Sequence, residues 1–251
     1  MPGTMKTTPS RPRGATAGFT LVELLVVITI VGMLSGLLAG GISFVQNSAR
    51  RSDCLNNLRQ WGGALSLYLD DHRNRTFPSY GGASDPTAWF NVLPPYLEAG
   101  AVAAPFKDRK TFPYPGDGSK NPFICPSDDG ATLSEADQGT TPYSSYTMNS
   151  WVDKSDNTPP RTKRLRDSQL KFPSSFVVMT ETCNGLAGGA DLSTLAPEGR
   201  ESAFRHNKSV NLLFADGHAA NYPRSVVLDG EGDNRGGIQW NPNKDLGNQD
   251  L

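Results

Sequence analysis

Hydrophobic positions along the chain follow three regimes. From Phe19 to Val45 apolar residues run almost unbroken, with Glu23 the only charge. As a helix this run is apolar on every side and reaches roughly 40 Å, enough to cross a bilayer with some tilt. From Cys54 the run becomes a stripe. Cys54, Leu58, Trp61, Leu65 and Tyr68 recur at alternating steps of four and three, with Leu55 and Leu69 beside them. That spacing predicts that the helix continues to about Asp71 with one buried face, for a total length of roughly 80 Å. Gly62-Gly63 is a predicted bend in this outer half.

The third regime is irregular and then β-like. Residues 74–142 are rich in Pro, Gly and aromatics, as in Trp89-Phe90, Leu93-Pro94-Pro95-Tyr96-Leu97 and Phe112-Pro113-Tyr114-Pro115. They predict long loops pinned by aromatics over the helix, with a short helix near Trp89 to Leu97. Exposed, the same aromatics would make a binding surface. Residues 143–228 carry the sheet. Ser145–Val152 and Ser175–Glu181 are short runs of β-branched and aromatic residues, and Val210–Ala215 and His218–Tyr222 flank Asp216-Gly217, a dipeptide suited to a tight turn with positive φ. The tail, 229–251, is Gly, Asn and Asp rich, with Ile238 and Trp240 to anchor it. The fold class is therefore α+β, a long N-terminal helix packed on a small antiparallel sheet with long loops.

Glu23 is the anomaly in the first regime, because an ionised group in hydrocarbon costs a few kcal/mol or more unless it is paired. Residues 1–18 form a basic leader, with Lys6, Arg11, Arg13 and no acid. A cut between Gly18 and Phe19 would create an amine about one helical turn from Glu23, in its own chain or a neighbour's. At Gly18-Phe19-Thr20-Leu21-Val22-Glu23 the sequence resembles the type IV prepilin-like proteins, including the pseudopilins of type II secretion systems. The resemblance implies cleavage after Gly18 by a prepilin peptidase of the inner membrane and methylation of the Phe19 amine. It also implies a pilin-like fold, a single-pass anchor at 19–45 and residues 46–251 in the periplasm. Arg50, Arg51 and Arg59 beyond the span balance the leader's charges, so orientation follows from the processing motif.

Composition narrows the partners. With 24 Lys and Arg against 25 Asp and Glu, the net charge gives no reason to expect nucleic acid. The cysteines Cys54, Cys125 and Cys183 lie outside the cytoplasm in this topology, where disulfides persist. An odd count leaves at least one free, three pairings are open, and no CxxC spacing marks a zinc or redox site.

A second resemblance lies near the end. His206, nine intervening residues and Asp216-Gly217 match the H-X9-DG signature of a large prepilin-type group, the DUF1559-like proteins, and Cys54–Gln60, Phe77-Pro78 and Cys125-Pro126-Ser127-Asp128 are similar to that group. Two readings of the signature stand side by side. Turn chemistry accounts for Asp216-Gly217, leaving His206 to secure the adjacent strand by a hydrogen bond. Alternatively Glu181, His206, Asp216 and His218 hold a divalent cation, calcium or zinc. Asp229, Glu231 and Asp233 alternate like the start of a calcium loop, without its glycine or closing glutamate. No nucleophile triad or phosphate-binding glycine loop is present, so the chain does not read as an enzyme. The expected function is a structural subunit of a type II secretion pseudopilus or type IV pilus-like filament, assembled with other pilin or pseudopilin subunits through its N-terminal helix in inner-membrane lipid. The rival is a monomeric, membrane-anchored binder of a glycan, peptide or solute.

Overall fold

The computed structural model describes residues 19–73, 75–80, 87–97, 121–128, 144–153, 164–182, 204–228, 234–235 and 237–241, with side chains for all of these except 37–43, 153, 228 and 234–235. The fold is α+β and pilin-like: a long N-terminal helix, short helices and a small antiparallel sheet. Helix α1 runs from Leu21 to Asp71. Residues 1–45 and 46–251 form two compact units. Among the described residues no helix is long and apolar enough to cross a membrane; the described side chains of the apolar half stop at Gly36 and resume at Phe44.

In the second unit the stripe on α1 is the centre of the main core. Cys54, Leu58 and Trp61 are fully buried, and Leu65 and Tyr68 nearly so. Trp61 sits edge-on to Trp89 at 5.1 Å and to Phe123 at 4.7 Å, and its indole N–H donates to the Pro122 carbonyl at 2.9 Å. Trp89 and Phe90 begin helix α2 (Trp89–Val92), which is followed by a 3-10 turn at Pro94–Tyr96. Phe77, Trp89, Phe90, Leu93 and Phe123 are all buried. These loop aromatics therefore pin the loops to the helix and offer no exposed binding surface; Phe112 and Tyr114 lie outside the described residues.

Strands β1 (Tyr146–Met148), β2 (Val177–Glu181), β3 (Ser209–Phe214) and β4 (Ala219–Pro223) form an antiparallel sheet in that order. The first predicted strand, Ser145–Val152, is shorter than expected because Asn149 turns the chain. Its side-chain amide donates to the carbonyls of Val177 at 2.8 Å and Trp240 at 2.9 Å, its oxygen accepts from the Trp151 N–H, and a 3-10 turn follows at Ser150–Asp153. Asn side chains that bond nearby backbone compete in this way with a strand ladder. A register shift between Val177 and Met179 puts an extra residue in β2, and Val178 and Met179 both join the core on the α1 side.

The sheet is buried on both faces. Val210, Leu212 and Phe214 of β3 point away from α1 into a second core with Val177, Phe204, Val227, Ile238 and Trp240. Helix α3 (Arg224–Leu228) and the ribbon of β5 (Asn234–Arg235) and β6 (Ile238–Gln239) supply this layer. Ile238 and Trp240, the expected anchors of the tail, are both buried.

The hairpin between β3 and β4 differs from the expected two-residue turn. Gly217 N–H donates to the Phe214 carbonyl at 3.0 Å and Phe214 N–H to the His218 carbonyl at 2.9 Å, leaving Ala215, Asp216 and Gly217 in the loop. Of these only Gly217 has positive φ, at 89°. This is the three-residue hairpin loop that closes on a left-handed glycine. The loop lies against α1 at Gly62, where a Cβ would meet Leu213 Cδ1 at 2.9 Å and the Gly217 carbonyl at 3.1 Å, whereas one on Gly63 would meet nothing. Gly62 thus serves close packing, while α1 runs through the predicted bend as one helix.

Candidate functional site

Among the described residues, two places concentrate chemistry. At the start of α1 the Thr20 N–H and hydroxyl donate to Glu23 Oε2 at 2.9 and 2.8 Å, and the Glu23 N–H donates to Thr20 Oγ1 at 3.2 Å. This reciprocal arrangement is a capping box, and its signature, Thr-x-x-Glu ahead of an apolar run, is legible in the sequence. Sequence reasoning sought a partner for Glu23 only in the amine of Phe19 and missed it. Phe19 is 82% exposed, and Gly18 lies outside the described residues.

The second place is buried. Glu181, the last residue of β2, and His206 are each almost wholly enclosed. His206 Nε2 donates to Glu181 Oε1 at 2.7 Å. Asn211, on the α1 side of β3, donates its backbone N–H to Glu181 Oε2 at 3.0 Å and its amide to Oε1 at 3.2 Å, and its own Oδ1 accepts from Asn221 at 2.8 Å. Three donors, one from His206 and two from Asn211, hold a carboxylate that burial would otherwise penalise. His206 is presented by a tight turn: Asn207 and Lys208 have φ of 53° and 60°, and His206 and Ser209 exchange backbone hydrogen bonds across them. Two consecutive left-handed residues make the mirror-image turn that suits hairpins.

Against this pair lies a disulfide between Cys54 of α1 and Cys125, which closes a sequence separation of 71 residues. His206 Nε2 is 3.5 Å from Cys125 Sγ. One ligand atom from each of Cys54, Cys125, Glu181 and His206 falls within 4.8 Å of all the others. Around them, Ser145 Oγ accepts from the Cys125 N–H at 2.9 Å and donates to Asp128 at 2.6 Å, and Asp128 pairs with Arg205 at 2.5 Å. Tyr146 donates its hydroxyl to the Cys54 carbonyl at 3.3 Å and accepts from Asn57. Burial pushes the Tyr146 phenol well above its ordinary value, and the negative Glu181 adds to the rise.

The expected four-residue cation set does not form as one group. Glu181 and His206 meet, but Asp216 and His218 lie at the other end of β3, Asp216 in the hairpin loop and His218 just after it. There His218 Nδ1 is 2.6 Å from Asp216 Oδ1, its backbone N–H donates to the same oxygen at 3.1 Å, and its ring stacks on Phe214. Both are partly exposed, and local turn chemistry accounts for them. Asp216 borders a groove of about 280 Å³ lined by Gly62, Leu65, Arg75, Asp167 and Pro173 among others. The residues that join Glu181 and His206 are instead the two cysteines. Cys183, Asp229, Glu231 and Asp233 lie outside the described residues.

Comparison with known families decides membership. A family model described as the prokaryotic N-terminal methylation motif matches residues 13–39. A second, described as a protein of unknown function (DUF1559), matches residues 45–177, more than half of the chain. The chain belongs to the DUF1559 family. The methylation motif of this DUF1559 protein implies processing by a prepilin peptidase, pilin-type assembly and a membrane-anchored N-terminus. Cys54, Cys125 and Tyr146 fall within the second match, and Glu181, His206 and Asp216 beyond it. No curated protein and no solved structure matches the chain.

Proposed function

We propose that the chain is a structural subunit of a pseudopilus or pilus-like filament, with a mechanical rather than a catalytic role. Prepilin peptidase cuts between Gly18 and Phe19 and the new amine is methylated. Residues 19–45 then hold the protein in the inner membrane as a single pass, and 46–251 face the periplasm. In the filament the helices pack in parallel, and Glu23 exchanges its cap for the Phe19 amine of a neighbour, which sets the register.

The observation that carries this reading is the unburied apolar half of α1. Leu21, Val22, Leu24, Ile28, Ile30 and Met33 are each more than half exposed, on every side of the helix. A helix apolar all round is stable in lipid or among other helices. Gly32 and Gly36 leave open space at their Cβ positions, where a neighbouring helix approaches closely. The rival, an anchored binder of a glycan, peptide or solute, drew on the loop aromatics, of which Phe77, Trp89, Phe90 and Phe123 are buried and Tyr80 and Tyr96 partly so.

A photo-crosslinking residue at Val27, in native membranes, tests assembly with the Cys54–Cys125 disulfide left intact. Ladders of oligomers that disappear in Glu23→Ala are expected. Monomers in both would sink the filament reading. Mass analysis of the mature N-terminus should find Phe19 carrying one added methyl group.

A further inference from the structure

A disulfide gains nothing from a buried carboxylate and imidazole beside it. Glu181 and His206 are nonetheless enclosed against Cys54–Cys125 and held there by Asn211 and by a strained turn of two left-handed residues. Burying an ionisable pair costs several kcal/mol before its own attraction is counted, and apolar residues would fill the same volume at less cost. We propose that Cys54, Cys125, Glu181 and His206 are the four ligands of a zinc-type divalent cation in the dithiol state of the chain, and that the disulfide is the metal-free state of the same site.

The donor set fits the cation. Two thiolates, one imidazole and one carboxylate are ligands that zinc takes in tetrahedral sites; the four donor atoms lie within 4.8 Å of one another, and reduction frees the two sulfurs to part to the spacing such a site needs. Soft sulfur donors argue against calcium or magnesium, which take oxygen. Each ligand comes from a different part of the fold: α1, the loop after Pro122, the end of β2 and the turn before β3. One ion would therefore tie together what the disulfide ties only at two points. Asn211, donating to both oxygens of Glu181, is placed to orient the carboxylate as an outer-shell partner.

The interconversion balances. A dithiol reductant supplies two electrons and two protons, converting Cys54–Cys125 to two thiols while it becomes a disulfide itself. The incoming cation displaces both thiol protons. His206 shifts its proton from Nε2 to Nδ1, freeing Nε2 as a ligand. Oxidation by a protein disulfide reverses each step and releases the cation.

The test uses the untagged full chain in detergent, reduced by a phosphine without oxygen, and Co²⁺ as the probe. One Co²⁺ per reduced chain is expected, with thiolate charge-transfer absorption and the intense visible bands of tetrahedral cobalt, both lost on adding Zn²⁺. The oxidised chain should show neither. His206→Gln and Glu181→Gln should each weaken uptake by roughly tenfold or more, while Asp216→Asn leaves it unchanged. Near-ultraviolet circular dichroism follows folding throughout. If reduction unfolds the chain, refolding by Zn²⁺ supports the site, and failure to refold overturns it. A folded, reduced chain that takes up no Co²⁺, or uptake that survives loss of both His206 and Glu181, also overturns it. Metal uptake is read on the isolated chain, so its outcome is independent of filament assembly.

Discussion

Helix α1 contains two contrasting halves. Its apolar half presents Leu, Val and Ile in all directions, and every described side chain there is exposed. Its outer half has fewer apolar residues, and those on the Cys54–Tyr68 stripe are buried against loops and sheet. The residue types overlap; the arrangement differs. A stripe commits a helix to one surface of its own chain, whereas an all-round apolar surface commits it to lipid or to other chains.

The sharpest way to break this comparison is to truncate one side chain in each half. Trp61→Ala should cost about 3–5 kcal/mol of stability, since it empties the centre of the aromatic cluster, and urea unfolding followed by circular dichroism would measure it. Val27→Ala should leave that unfolding curve unchanged within about 0.5 kcal/mol. Equal losses from both would mean that the apolar half packs on its own chain.

A smaller effect probes the buried polar groups of the outer unit. Because the folded-state pKa of Tyr146 is raised, the folded chain keeps a proton that the unfolded chain loses near the ordinary value of 10.0. Stability is therefore at its full value below that pH and falls as pH rises through and beyond it. Melting temperatures across this range should decline in the wild type, and Tyr146→Phe should flatten the decline. An unchanged slope would remove Tyr146 from the cause.

The smallest test sits on adjacent glycines. Gly63→Ala, facing open space within α1, should stabilise by about 0.5–1 kcal/mol through helix propensity. Gly62→Ala should fall short of that gain, because its methyl presses on buried Leu213 and on the Gly217 carbonyl of the hairpin loop. Thermal unfolding of the two variants side by side would decide, and equal gains would show that the loop does not press on α1.

Much of the fold was legible because its signals are local. The step of four and three from Cys54 to Tyr68 named the buried face of α1, a β-branched run located β2, and the segments flanking Asp216-Gly217 located β3 and β4, all within two residues. Turn chemistry located the β3–β4 hairpin but missed that its loop has three residues, since the Asp216-Gly217 dipeptide suits both kinds. The layer on the far side of the sheet was illegible beyond its anchors, Ile238 and Trp240, because α3 and the β5–β6 ribbon are too short to carry a period. The candidate site was half legible. His206 and Glu181 could be named as polar residues near strands, yet Asp216 and His218 were grouped with them on residue type alone.

By itself the sequence determined the processing motif, the apolar run, the stripe and the places of β2, β3 and β4, each written in neighbouring residues and read through local patterns and turn chemistry. Only the tertiary structure decided which cysteine meets which, that His206 faces Glu181, and that the pair lies against the disulfide. Those contacts join residues 25 to 81 positions apart. No local period encodes such separations; they arise where the buried stripe of α1, the aromatic loops and the inner face of the sheet exclude water from one common volume.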